Sequence, residues 1–184
     1  MGPSREARRE RYLAKARAEL DGLVVRGVVV TGNAFSSVLL LKGLPTAEEA
    51  SGATLLAGKD GEALRAALQA LGYAPQDWAG LATWNNQNEP LEPELLREAI
   101  CALDPATLIA CDEAAAGALR EAYASDLFLL QSFEEAMLTA GTLAQVAGMR
   151  AMNLGGFAAA LGDKAEKQVM WRRLKQLPPL GEPY

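Results

Sequence analysis

The chain has 184 residues, half of them apolar, with a net charge of −5, an isoelectric point near 4.9 and no histidine. That length fits one domain of the usual ~100–200 residues, and no apolar run approaches the ~20 residues that a membrane-spanning helix needs. The missing histidine removes the commonest general acid/base and the commonest metal ligand, so any catalysis would rest on carboxylates, lysines, tyrosines, hydroxyls or a bound cofactor.

Met1-Gly2-Pro3-Ser4-Arg5 leads into a charged stretch without a signal-peptide apolar region, so a cytoplasmic protein that meets no membrane is the expectation. Residues 4–20 read as a helix capped by Ser4, with Glu6 and Glu10 favouring its dipole, Tyr12, Leu13, Ala16 and Leu20 near one face, and Gly22 closing it. Residues 1–22 are thus expected as a basic helix packed on the domain. Residues 23–30 are apolar and β-branched and predict a strand; 37–41 predict a second, buried one. A loop punctuated by Gly43, Pro45, Gly52 and Gly58 spans 42–59, and Asp60 is read as the cap of a helix running to Leu71. Residues 81–84 predict a third strand, followed by the polar loop Asn85-Asn86-Gln87-Asn88-Glu89-Pro90. A helix over 93–103 carries proline in its first turn. Residues 107–110 predict a fourth strand and 113–122 an alanine-rich helix. Residues 127–130 suggest a fifth strand, 134–147 mainly helix, 149–153 a weak strand and 163–177 a closing helix. The proline-rich tail, 178–184, is expected to leave the body as an extended segment.

Strands alternating with helices predict an α/β fold of three layers, a mainly parallel central sheet with helices on both faces, over residues 23–177. Ligands of such sheets sit beyond the carboxyl ends of the strands. Two basic stretches flank an acidic middle: Arg5, Arg8, Arg9, Arg11, Lys15 and Arg17 at one end, and Arg150, Lys164, Lys167, Arg172, Arg173 and Lys175 at the other. They could join into one phosphate-facing patch, with Arg8, Arg172 and Arg173 as contacts, or form two solvated helix faces. Cys101 and Cys111 are expected as two buried thiols and not a disulfide; with no C-x-x-C motif, no metal site is expected.

Several loops carry a likeness in order and spacing. Val28-Val29-Val30-Thr31-Gly32-Asn33 and Val38-Leu39-Leu40-Leu41 are followed by Lys42-Gly43-Leu44-Pro45-Thr46-Ala47-Glu48-Glu49. Further on come Thr83-Trp84-Asn85-Asn86-Gln87-Asn88-Glu89-Pro90, Glu92-Pro93-Glu94-Leu95-Leu96, residues 105–115 and a closing segment containing Trp171 and Lys175. Over residues 24–177 this resembles the uracil-DNA glycosylase superfamily, especially its bacterial iron–sulfur branch. That branch has G-E-A-P-G after its second strand, N-R-x-P and P-E-E downstream, and H-P-S near its end. The resemblance implies a uracil-DNA-glycosylase-like fold and a pocket formed by Lys42, Gly43, Leu44, Pro45, Leu55, Asn85, Asn86, Asn88, Leu154, Gly155, Gly156 and Phe157.

The same alignment implies loss of the usual chemistry. Gly43 stands where the family's glutamate would be, and Leu154-Gly155-Gly156 where its H-P-S would be. Leu55 or Leu56 replaces the aromatic that stacks on uracil. Only Cys101 lies near a cluster-cysteine position, so neither an iron–sulfur cluster nor any other cofactor is expected. Asn153, shifted by a residue, could enter the N-P-S motif of the mismatch-type branch, whose first-motif asparagine corresponds to Leu44. Glu48 and Glu49 are the surviving candidate carboxylates, either as a general base or as helix-start acids. Asp112 and Glu113 read as a helix cap, and Lys42 as a phosphate contact or a strand-end lysine. Three functions follow as expectations: a catalytically degenerate relative that binds DNA or a nucleotide, an active glycosylase of altered specificity using Glu48 or Glu49, and a protein–protein module.

Overall fold

The computed structural model describes residues 4–181. Glu182, Pro183 and Tyr184, part of the expected tail, lie outside the described residues.

The chain opens with α1 (Arg5–Val25), capped by the Ser4 hydroxyl, which accepts from Ala7 N. The helix does not stop at Gly22. It continues through Val24 and Val25, because Leu23 packs into the core and the chain reverses only at Gly27, whose φ of 90° suits glycine. The first strand, β1 (Val28–Gly32), therefore begins five residues later than the β-branched run suggests. Next come β2 (Val38–Lys42), a short helix α2 (Ala47–Ala50) inside the expected loop, α3 (Lys59–Ala70) and β3 (Ala79–Asn85). They are followed by α4 (Pro93–Leu103), β4 (Thr107–Ala110) and α5 (Glu113–Ala122).

Two expectations fail in the next stretch. Residues 127–130 are not a strand: α6 (Ala124–Phe128) covers their start, and only Leu127 of that helix is buried. Residues 134–147 are not mainly helix. A single turn, α7 (Phe133–Ala136), gives way to the edge strand β5 (Leu143–Val146), whose alternating burial is the period-2 signature of a half-covered strand. Then come β6 (Met149–Asn153), α8 (Phe157–Ala160) and α9 (Lys164–Leu174).

The six strands form one sheet in the order β1-β3-β2-β4-β6-β5. The β3, β2, β4 and β6 strands are mutually parallel, while β1 and β5 pair antiparallel at the two edges, so the sheet is mixed. Alternation along β2 sends Leu39 and Leu41 into one core cluster and Val38 and Leu40 into the other. The first cluster gathers α1, α4, α5 and α6, and the second gathers α3, α8 and α9. This is a three-layer α/β arrangement. No helix among the described residues is long and apolar enough to cross a membrane.

This layering decides between the two readings of the basic ends, and the packing corrects the expectation for the thiols. The buried residues of α1 and α9 belong to opposite faces of the sheet, so the two basic ends do not join into one patch. Arg8 and Arg172 are exposed on separate faces, while Arg173 is turned inward and donates to the Leu154 carbonyl. The thiols also differ: Cys111 is buried, but Cys101 faces solvent on α4. Burial pushes the Cys111 thiol far up from its ordinary range. A thiol-reactive dye should therefore modify one cysteine in the native protein and two after denaturation; two reactive native thiols would contradict this packing.

Candidate functional site

In an open α/β sheet the ligand crevice opens where consecutive connections leave for opposite faces. Here that point lies between β2 and β4. The chain leaves β2 toward α2 and α3 on one face, and leaves β4 toward α5 on the other. The crevice is occupied by the protein's own carboxylate. One oxygen of Asp112 accepts from Gly43 N at 3.1 Å and Leu44 N at 3.0 Å; the other caps α5 through Ala115 N at 2.8 Å. Three converging N–H groups, two just after β2 and one in the first turn of α5, form an anion site, and Asp112 fills it from within. Asp112 is also bridged to Gly156, and Phe157 N donates to Cys111 O at 2.9 Å, so the ends of β2, β4 and β6 are laced together.

Gly43 is confined by this lacing. A Cβ there would fall on the Ala115 nitrogen and lie 2.5 Å from Asp112 Oδ1 and 2.6 Å from the Ala114 carbonyl carbon. The position has no room for a carboxylate side chain.

Lys42 follows from the parity of β2. Two residues beyond Leu40, it points to the α3 face, where its side chain is 2% exposed. Asp60, in the first turn of α3, meets its Nζ at 2.5 Å; Glu49 meets it with Oε2 at 2.7 Å and Oε1 at 2.9 Å. Asp60 is thus not the cap of α3, whose N-cap is Gly58 without a side-chain bond. Glu49 also closes a capping box with Thr46, accepting from Thr46 N at 2.9 Å, and accepts from Leu56 N at 2.9 Å. Burial pulls the Lys42 pKa down, but the hydrogen bonds and charges of Asp60 and Glu49 outweigh it and leave the value raised. The lysine is a locked cation in an ion triad, unavailable to phosphate, and Glu49 has no oxygen left for a water or sugar.

Parity also separates the remaining candidate. Asn153, in β6, projects to the α5 face, opposite Lys42. Its Nδ2 donates to Glu113 Oε2 at 2.8 Å and the Leu138 carbonyl at 2.9 Å, and its Oδ1 accepts from Gly155 N at 2.8 Å. The Asn153 hydrogen bond, and then Arg120, hold the Glu113 carboxyl below its ordinary value. Leu154, Leu55, Leu56 and Phe157 are buried core, while Leu44 is exposed.

What the structure does bring together is the polar loop after β3 and the segment after α2. Asn85, Asn86 and Asn88 face Ser51 and Leu55 across a cleft of about 400 Å³, with Trp84 and Glu49 at its wall. Asn88 Nδ2 ties the rims together by donating to Ala50 O at 3.0 Å, from a residue with φ of 61°. Asn85 braces its own loop, accepting from Gln87 N and Glu89 N. Gly43 and Pro45 open on a second cleft, of about 410 Å³, beside α5, which shares Trp84 and Asn88 with the first. Glu48, exposed at the start of α2, borders a third, of about 610 Å³. The expected pocket residues are therefore dispersed: Glu49, Leu55, Asn85, Asn86 and Asn88 share one cleft, and Lys42, Asn153, Leu154, Gly155, Gly156 and Phe157 do not border it.

Sequence reasoning missed Asp60 and Asp112 as more than caps, and Trp84 altogether. The signal for Asp60 is a lysine at an inward position of an otherwise apolar strand, which requires a buried counter-ion. Among the described residues no group of three or more histidine, cysteine or acidic side chains forms a metal site. No family model matches the chain, and no curated protein matches it.

Proposed function

We propose that this chain is a non-catalytic binding protein, a divergent form of the uracil-DNA-glycosylase plan that holds a nucleotide or a nucleic-acid base without cutting it. The observation that carries this reading is the Asp112 plug at the switch point, where an α/β sheet would otherwise receive its ligand. Excision needs a group aimed at the sugar or its water and a donor for the leaving base. Here Glu49, Lys42 and Asn153 are each engaged by internal partners. The cleft beside Trp84 keeps amide side chains, which suit the edge of a flat heterocycle, and its one carboxylate is neutralised by Lys42.

The test uses the full chain with single- and double-stranded oligonucleotides carrying uracil or other deaminated bases, and with the free mononucleotides. No abasic site should form with protein in excess, and binding should weaken when Asn86 is replaced by Ala. Abasic sites that disappear in Glu48→Gln or Glu49→Gln would establish the active alternative instead. A chain that binds neither oligonucleotide nor mononucleotide at low salt would refute base holding.

A second reading, the protein–protein module, is favoured by one separate observation. Phe128 at the end of α6, Leu129 just after it and Phe133 at the start of α7 are 87%, 79% and 73% exposed. Scattered surface apolar side chains are ordinary; three such large ones within six residues point to an interaction surface.

A further inference from the structure

The exposed apolar segment and the basic helix are complementary, yet they stand at opposite ends of one helical layer. On the face that contains α4 and α5, α1 packs against β1, at one edge of the sheet, and α7 packs against β5, at the other. Between them, α4 and α5 fill the layer. Within one chain the two cannot meet.

Residues 121–137 carry Glu121, Asp126, Glu134 and Glu135 and no lysine or arginine. Asp126 is paired with Arg97, and Phe128, Leu129, Phe133 and Met137 stand exposed among these acids. Residues 5–17 carry six basic side chains against Glu6 and Glu10. None of those eight forms an ion pair among the described residues. Of α1, only Leu23 is buried; Tyr12 is 64% exposed, and the roughly 22 Å of helix from Arg5 to Glu19 has little of the domain against it. Helices in water draw most of their stability from packing, so this one gains from a surface to lie on. The acidic rim repels phosphate, which disfavours lipid headgroups and nucleic acid at the apolar patch.

We propose that the α6–α7 patch of one copy receives the basic α1 segment of a second copy, joining copies head to tail. Such a contact is heterologous: each copy offers one half of it at each end. A patch built on four apolar side chains falls short of the roughly 20–30 residues a side of a stable interface, so association is weak, driven by salt-sensitive charge pairing and by burial of the phenylalanines. This inference does not depend on whether the cleft holds a base.

Sedimentation of the full chain, from micromolar to sub-millimolar concentration, should show concentration-dependent growth beyond the monomer that high salt reverses. Phe128→Asp with Phe133→Asp, and separately Arg8→Glu with Arg11→Glu, should each weaken association by about tenfold or more. All four positions are exposed, and circular dichroism checks that each variant keeps its fold. The deciding measurement mixes the two variants. Each retains one intact half, so a head-to-tail contact predicts that they form a one-to-one pair together while each alone remains monomeric. Three results would overturn the proposal: a wild-type chain that stays monomeric at every concentration, leaving the patch to an unrelated partner; association that survives in either variant; or a mixture that shows no pairing.

Discussion

Replacing Lys42 with Met should cost the native state about 3–5 kcal/mol, because it leaves Glu49 and Asp60 buried with no cation between them. The methionine nearly fills the lysine volume, so the loss reports charge and not a cavity. Urea titration at neutral pH, followed by tryptophan fluorescence, gives the number; a loss below about 1 kcal/mol would mean the triad does not hold α2 and α3 to the sheet. The pH dependence has a defined sign. Folded Lys42 keeps its proton above the ordinary value of 10.5, so the triad's stabilisation is fully present below that value and fades as pH climbs through the raised one. Adding Glu49→Gln and Asp60→Asn to Lys42→Met should recover part of the loss, because it removes the buried charges left without a cation.

The triad also marks the boundary of what the sequence makes legible. The continuous apolar run of β2, the proline opening α4 and the asparagine-rich loop after β3 are local signals, and the structure follows them. Local signals fail where packing decides. Val24 and Val25 look like strand, but Leu23 ties that turn into the core and Gly27 sets the reversal. The run 127–130 has strand composition, yet only Leu127 and, in part, Leu130 turn inward. β5 is four residues long at a sheet edge, too short for its period to stand out from the alanines and methionines around it. The site divides the same way. That Gly43, Asn153 and the Leu154-Gly155-Gly156 stretch lie at strand ends is readable from the chain order. That Lys42 and Asn153 face opposite sides follows from the parity of β2 and β6. The partners of Lys42 and Gly43 lie 7, 18 and 69 residues away, and only tertiary structure supplies them.

Gly43→Ala should be a costly one-methyl change at the sheet's carboxyl edge. The added Cβ meets backbone of α5 and the Asp112 carboxylate, neither of which is the yielding end of a flexible side chain. Overpacking alone costs about 1–3 kcal/mol. Separating Asp112 from Gly43 N and Leu44 N leaves a buried carboxylate short of two donors, worth about another 1–3 kcal/mol. Gly22→Ala provides the contrast: it lies in α1 with nothing within 4 Å of its Cβ position, and helix propensity predicts a gain of about 0.5–1 kcal/mol. The comparison bears on the proposed function because, on the proposed glycosylase-like plan, Gly43 is the position that would need a carboxylate. If the seam is closed as described, Gly43→Glu unfolds or splays the β2–β4 edge and yields no base excision. A well-folded Gly43→Ala, within about 1 kcal/mol of wild type, would mean that the edge opens readily; Asp112 would then be a removable plug, and the case for a chain that binds without cutting would lose its main support.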